Sequence, residues 1–246
     1  MASAKHWLAL TKLVADAHHG WILGQLDSGE KYEQMNHSDK NNSVQVVGLV
    51  GSLRPGSYTR LAVQLALSGA GELGAATKLI DLRDYALPFC DGSKDESHYP
   101  PDVAQLRSDL RAATGIIVGT PEYHGGYSGV LKNALDLMGF SEFEGKTIGL
   151  LGVSGGRMGA AHALAGLRTA SRSLRAWVLP SEVSIPQVSQ QFDANGLLKD
   201  ADLAQRVKDL GRQVARFAFL HSSQQAMSFL RAWEEAPVNP GGEWSS

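Results

Sequence analysis

The sequence predicts an α/β fold in which a parallel sheet is covered by helices on both faces. Three observations carry that reading. Short apolar, β-branched runs alternate with segments of helical period over residues 44–220. Most of those runs end in glycine, serine or proline, as strands entering turns do. The chain of 246 residues is also long enough to bury roughly 70–75% of its unfolded surface without a metal or a disulfide.

Residues 44–50 (VQVVGLV) form the first strand, which ends in Gly51-Ser52. A helix follows over residues 58–73, with Leu61 and Leu65 on one face and Gly74 at its end. Residues 76–82 (ATKLIDL) make a second strand, and residues 83–101 a long polar loop of a length that is commonly functional. Asp102 caps a helix through Ala113 whose Val103, Leu106 and Leu110 share a face. The third strand is residues 115–119 (GIIVG), followed by a helix over about 128–138. Residues 146–153 (KTIGLLGV) are the fourth strand, residues 158–174 the next helix, and AWVL at 176–179 begins a fifth strand. The last helix, about 200–220, carries Leu203, Val207, Leu210, Val214 and Phe217 on one stripe. Residues 1–43 read as a loosely ordered extension with one short helix over 7–17, and Met35 is an alternative start. His18, His19 and His37 lack the thiolates and the spacing of a metal site. Residues 221–246 are a polar tail, mobile beyond Trp233.

Composition narrows the function classes. A net charge of −2, from 23 Lys+Arg and 25 Asp+Glu, removes the simplest case for a nucleic-acid partner. No apolar run approaches the ~20 residues that span a bilayer, so no membrane partner is expected. The single cysteine, Cys90, forms no internal disulfide, thiolate zinc site or CxxC pair, which suits a reducing cytoplasm.

In an open parallel sheet, ligands bind beyond the carboxyl ends of the strands. Three segments at those ends, GSLRPGSYTR (51–60), TPEYHGGYSG (120–129) and SGGRMG (154–159), hold eight of the 27 glycines. The first is built for a phosphate. Gly51 and Gly56 turn the backbone, the amides of residues 56–60 point from a helix N-terminus, and Ser52, Ser57, Thr59, Arg54 and Arg60 add hydroxyl and guanidinium donors. It lacks the GK[ST] of a Walker loop and the GxGxxG of a dinucleotide fold. The second segment combines Pro121, Glu122, Tyr123, His124, Gly125, Gly126 and Tyr127, aromatic faces beside bare backbone that suit a flat heteroaromatic ring. No GxSxG nucleophile elbow is present.

Taken in order, GSLRxxSYxR, PEYxxxxxGxLKNALD and SGGRxG resemble the three signatures of the flavodoxin-like NADPH-dependent FMN reductases over residues 44–220. The resemblance implies a five-stranded parallel sheet of order 2-1-3-4-5, in a three-layer sandwich, holding FMN. It implies hydride transfer from NADPH, with NADH possible, and ping-pong delivery to quinones, flavins, azo dyes, chromate or ferric chelates. FMN would be the reactive group, with no catalytic side chain. Ser52, Arg54, Ser57 and Thr59, with Tyr58 beside them, match the family's phosphate loop. Pro121, Glu122 and Tyr123, continuing to His124 and Gly125, match the loop along the isoalloxazine edge. Ser154, Gly155, Gly156 and Arg157 match the loop near the pyrimidine ring, where a helix starting at Met158 would stabilise charge near N1 and O2. Arg157 could instead pair with the 2′-phosphate of NADPH. The family commonly has Asn where this chain has His124, and many members have Asn at Thr59. The segment IPQVSQQFDANGLLKD (185–200) is similar to the arsenical-resistance branch, and LKNALD (131–136) to the quinone and azo reductases. The family further implies a homodimer or homotetramer and a small-molecule electron acceptor. Two other readings stand beside this one: a flavodoxin-like electron carrier, and a non-enzymatic flavin-binding interaction module.

Overall fold

The computed structural model describes residues 44–93, 97–223, 227, 228, 230–232 and 235. The N-terminal extension, with the helix expected over 7–17 and its histidines, and most of the C-terminal tail lie outside the described residues.

The chain runs β1 (Gln45–Val50), α1 (Tyr58–Gly71), β2 (Ala76–Asp81), α2 (Pro101–Ala112), β3 (Gly115–Tyr123), β4 (Gly126–Tyr127), α3 (Gly129–Asp136), α4 (Phe140–Phe143), β5 (Thr147–Val153), α5 (Ala161–Ser173), β6 (Trp177–Ile185), α6 (Val188–Gln191) and α7 (Ala201–Ser222). Five strands pair in parallel in the order β2-β1-β3-β5-β6, the expected order. The sheet gains a sixth strand because β4 pairs antiparallel with the end of β3. Alternation along the strands divides the core. Val46, Val50, Ile117 and Leu151 pack with α1 and α7, whereas Val47, Leu49, Ile116, Val118 and Leu150 pack with α2, α3 and α5.

Helix ends follow local chemistry. Ser57, Ser128 and Asp200 cap α1, α3 and α7 with their side-chain oxygens. Asp102 is not the cap of α2. Pro100 holds that position with Pro101 at N1, and Asp102 Oδ2 instead accepts Ala86 N at 2.6 Å, fixing the start of the long loop. On α7, Leu203, Val207, Leu210 and Val214 are buried as expected, but Phe217 is 38% exposed and Ala215 and Ala218 take the inner positions. Small residues there let α7 cross α1 at backbone distance. A Cβ on Gly211 would collide with Ala66 O, and one on Gly69 with Lys208 O.

Sequential connections leave β1 to opposite sides, to β2 one way and on to β3 the other. The strand order therefore reverses between β1 and β3, which opens a crevice at their carboxyl ends.

Candidate functional site

The crevice is tied together beneath its floor. Gly51 N donates to Gly119 O at 2.8 Å, joining the exits of β1 and β3. Ser128 Oγ donates to Gly51 O at 2.6 Å, and Ser128 N donates to Thr120 Oγ1 at 3.1 Å. Beyond Gly51 the chain turns through Ser52, whose Oγ accepts Arg54 N at 3.4 Å, and through Gly56 at φ 64°. Ser57 Oγ accepts Arg60 N at 3.3 Å. The amides of Gly56, Ser57, Tyr58 and Thr59 donate to no described residue. Four consecutive unpaired N–H groups thus stand at the start of a 14-residue helix, carrying the positive end of its dipole. This is the anion cradle expected over 56–60, shortened by one residue because the cap consumes Arg60 N.

Arg60 is not part of the cradle. Its Nε lies 3.1 Å from Asp81 Oδ2, and Arg83 Nη2 lies 2.7 Å from the same oxygen. Burial alone would raise the Asp81 carboxyl, but the side-chain and backbone bonds from Arg83 and the charges of Arg83 and Arg60 outweigh it and hold the pKa below its usual value. Arg54, in contrast, is exposed and has no described acceptor for its guanidinium.

The second wall is β3 itself, which does not stop at Gly119 but runs through Pro121 and Glu122 to Tyr123. His124 and Gly125 have φ of 50° and 76°, the pair of positive angles that a two-residue I′ hairpin requires. His, like Asn, tolerates that left-handed conformation better than most residues, so His124 suits the first position of the turn. His124 and Gly125 are exposed turn residues and do not border the cleft. Tyr127 is a packing residue, half-buried against α5 with its ring over Gly166.

The third wall follows β5. Ser154 N donates to Ile185 O at 2.9 Å and Ser154 O accepts Val188 N at 2.9 Å. Gly155 borders the cleft, and its amide donates to no described residue. Gly156 and Arg157 lie just outside the lining. The helix expected from Met158 begins at Ala161 instead, and Met158 is 86% exposed. Its first turn is already served, since Ala163 N donates to Glu122 Oε2 at 3.0 Å. The α5 dipole is therefore answered by Glu122 rather than left for a ligand.

Ser52, Arg54, Ser57, Tyr58, Thr59, Pro121, Glu122, Tyr123, Ser154 and Gly155 surround one cleft of about 480 Å³, including its open mouth. Pro55, Gly56, Val153 and Val188 also line it. Of these, sequence reasoning left out Pro55 and Val153 and gave Val188 no role, although Val188 directly follows the last strand in an apolar IPQV segment. Tyr58 reaches that side as well, stacking on Phe192 at 5.3 Å between ring centroids. Among the described residues, no group of three or more His, Cys, Asp or Glu is placed to hold a metal, and no helix is long and apolar enough to cross a membrane.

The donor set fits FMN. Unpaired amides and a free guanidinium suit its phosphate, while Pro121, Tyr123 and the bare Gly155 amide suit a flat ring with polar edges. A doubly wound parallel sheet with such a cradle at its switch point defines a flavodoxin-like flavoprotein. Residues 44–190 match the NADPH-dependent FMN reductase family, and the chain belongs to that family. It is an oxidoreductase whose cofactors are FMN and NADPH. It is 32% identical to the NADPH-dependent FMN reductase ArsH of Shigella flexneri over 182 residues, 72% of this chain and 69% of that protein. It is also 32% identical to an FMN-dependent NADPH-azoreductase of Staphylococcus saprophyticus over 139 residues, 55% of this chain and 73% of that protein. Among solved structures, the flavoenzyme NAD(P)H:(acceptor) oxidoreductase FerB of Paracoccus denitrificans shares the fold. Its TM-score is 0.60 at 22% identity, with 72% of this chain and 98% of that one covered.

Proposed function

We propose that the protein carries electrons from NADPH, or less specifically NADH, through FMN to small diffusible acceptors in a ping-pong sequence. Quinones, flavins, azo dyes, chromate and ferric chelates are the acceptor classes, and the cytoplasm is the compartment that one free cysteine suits. Equal identity to a relative named as an FMN reductase and to one named as an azoreductase supports a broad acceptor range over a single one.

The observation that carries the reading is the cradle of unpaired amides at residues 56–59 opening into one cleft. FMN, when bound there, supplies the hydride-accepting and electron-releasing chemistry. The chain's own work is to bind and orient. The 56–59 amides and Arg54 would hold its phosphate, Pro121 and Tyr123 would wall the ring, and the Gly155 amide would be available as a donor to a polar ring edge. No side chain need move a proton to the reacting atoms, and the Glu122 carboxylate is engaged by Ala163 N. One shared cleft favours successive rather than simultaneous occupancy by reductant and acceptor.

The protein is also proposed to act as a homodimer or homotetramer. Leu53 and Phe89, 50% and 89% exposed, stand beside the phosphate loop on the surface such a contact would cover. Light scattering that finds a monomer at micromolar concentration would remove this part.

The central test is the visible spectrum of the purified protein under anaerobic conditions. Flavin absorbance that bleaches on adding NADPH and returns on adding a quinone is expected, with parallel double-reciprocal plots when both substrates are varied. Bound flavin that NADPH leaves unbleached would point to a carrier or a binding module, and converging plots would overturn the ping-pong order.

A further inference from the structure

Residues 185–199 leave the end of β6 and are fastened to two sides of the cleft, which Val188 among them lines. On the β5 side the ties are backbone bonds. Ser154 N donates to Ile185 O at 2.9 Å, Gln187 N to Gly156 O at 3.1 Å, and Val188 N to Ser154 O at 2.9 Å. Gln187 stands between these bonds at φ 45° and ψ 45°, a left-handed conformation disfavoured for any residue with a Cβ. On the β1 side the ties are side chains. Phe192, which is buried, stacks on Tyr58 with ring planes 26° apart. Gly196 lies against α1, where a Cβ would come within 3.3 Å of both methyl carbons of Leu61.

Between its two sets of ties the segment is closed on itself. Phe192 pairs with Leu198 in an antiparallel bridge, and Lys199 N donates to Gln191 O at 2.9 Å. Asp193 Oδ1 accepts Asn195 N at 2.9 Å and Leu197 N at 2.8 Å. Packing and internal bonds of this kind lock the groups that support a binding site. The sheet alone does not bring the two anchored sides together, because β3 lies between β1 and β5. Tyr58 carries one of the unpaired cradle amides, and the Gly155 amide stands on the loop that follows β5.

Resting on the reading of this cleft as the FMN site, we infer that residues 185–199 are a strap that sets the separation of the phosphate cradle from the Gly155 loop, with Phe192 as its positioning residue. Phe192 does not line the cleft and acts through Tyr58. The physical reason is linkage. FMN joins a phosphate to a ring system through one short chain, so both sets of donors serve the same molecule only where their separation matches its reach. Two subsites engaged by one linked ligand give more affinity than either alone, and that gain is lost when the spacing is wrong even though each subsite survives.

The test compares the linked ligand with its parts. The full chain, freed of flavin by dialysis, is titrated by calorimetry with FMN, riboflavin and inorganic phosphate, as wild type and as Phe192→Leu, which keeps an apolar side chain but no flat ring. FMN should bind about tenfold more weakly to Phe192→Leu, the scale of a lost aromatic pair. Riboflavin and phosphate should each change by less than about twofold, because the subsites remain and only their spacing is lost. Phe192→Met, which is also ringless but more adaptable in a core, takes its place if Phe192→Leu does not fold. FMN and riboflavin weakened equally, or FMN and phosphate weakened equally, would make Phe192 part of one subsite and overturn the strap. Unchanged FMN affinity overturns it too, as does an equal loss for all three ligands, which a general loosening of the fold would give. Each of these leaves the FMN reading standing. A wild-type protein that binds FMN no more tightly than inorganic phosphate brings down both.

Discussion

The carboxylate of Glu122 borders the cleft, yet its Oε2 is held by Ala163 N in the first turn of α5, so its burden is the helix end. Glu122→Ala should cost about 1 kcal/mol, the scale of a lost cap, seen as a lower urea midpoint at unchanged slope. An unchanged midpoint with weakened flavin binding would assign the carboxylate to FMN instead. Arg54 and Arg60 look alike in sequence, two arginines flanking the same Pro-Gly-Ser turn. What separates them is Asp81, which holds Arg60 and Arg83 and is distant in sequence. Arg54→Ala should therefore weaken FMN by roughly tenfold or more, with flavin occupancy after dialysis as the measurement, and unchanged occupancy would remove its phosphate role. Asp81 also sets a pH dependence. Its folded pKa is depressed, so the unfolded state binds the proton first as pH falls. The stabilisation is fully present above the unfolded value of about 3.9 and is lost as pH drops through the lower folded value. Urea midpoints between pH 6 and 3 should fall less steeply in Asp81→Asn, and parallel curves would show that Asp81 contributes nothing to acid unfolding.

Strands and helices were legible at the level of elements because apolar periodicity reports which faces are buried. Residues 45–50, 76–81 and 147–153 match their expected runs to within a residue or two at each end. What periodicity could not report was backbone geometry. The hairpin that adds β4 depends on two positive φ angles at His124-Gly125, and His-Gly is a weaker turn signal than Asn-Gly. The late start of α5 depends on Glu122 and Ser184 reaching its first amides across the fold. The crossing of α1 and α7 depends on Gly69 and Gly211, although a glycine inside a helix lowers its intrinsic propensity. Gly211→Ala should destabilise by about 3 kcal/mol or more, the upper range of overpacking, because its Cβ would meet the backbone oxygen of Ala66. That corresponds to a melting-temperature loss on the order of 10 °C. Gly71→Ala is the control. It lies at the end of α1, the other helix of the crossing, where an added Cβ would have its nearest neighbour 3.9 Å away, and it should be neutral or stabilising by up to about 1 kcal/mol. Equal losses in both variants would mean that the crossing does not depend on glycine.

At the scale of the whole molecule, sheet order places the first and third strand exits side by side, and residues about 70 positions apart become one site. Their residue types were legible because phosphate and ring binding use glycine, hydroxyl and guanidinium groups that packing seldom requires at a strand exit. Their division of labour was not, since it depends on which amides the fold consumes internally. The same division governs how the cofactor should act on stability. The amides of residues 56–59 and of Gly155 have no described partner, so FMN should give them partners that only the folded state can offer. A ligand bound only by the folded state stabilises it by about 2.7 kcal/mol at a hundred times its Kd, and a domain of this size gains roughly 5–10 °C from that. Stripping FMN should therefore lower the melting temperature by that amount, and re-adding it should restore the loss in proportion to the logarithm of its concentration. Hydrogen exchange locates the effect. Residues 52–59, 120–125 and 154–158 should exchange faster without FMN, while the buried amides of Val47, Ile116 and Ile148, at the opposite end of the sheet, should not change. Uniform acceleration through the sheet would mean that the cofactor organises the fold as a whole, and protection confined to other segments would move the site away from the β1–β3 switch point.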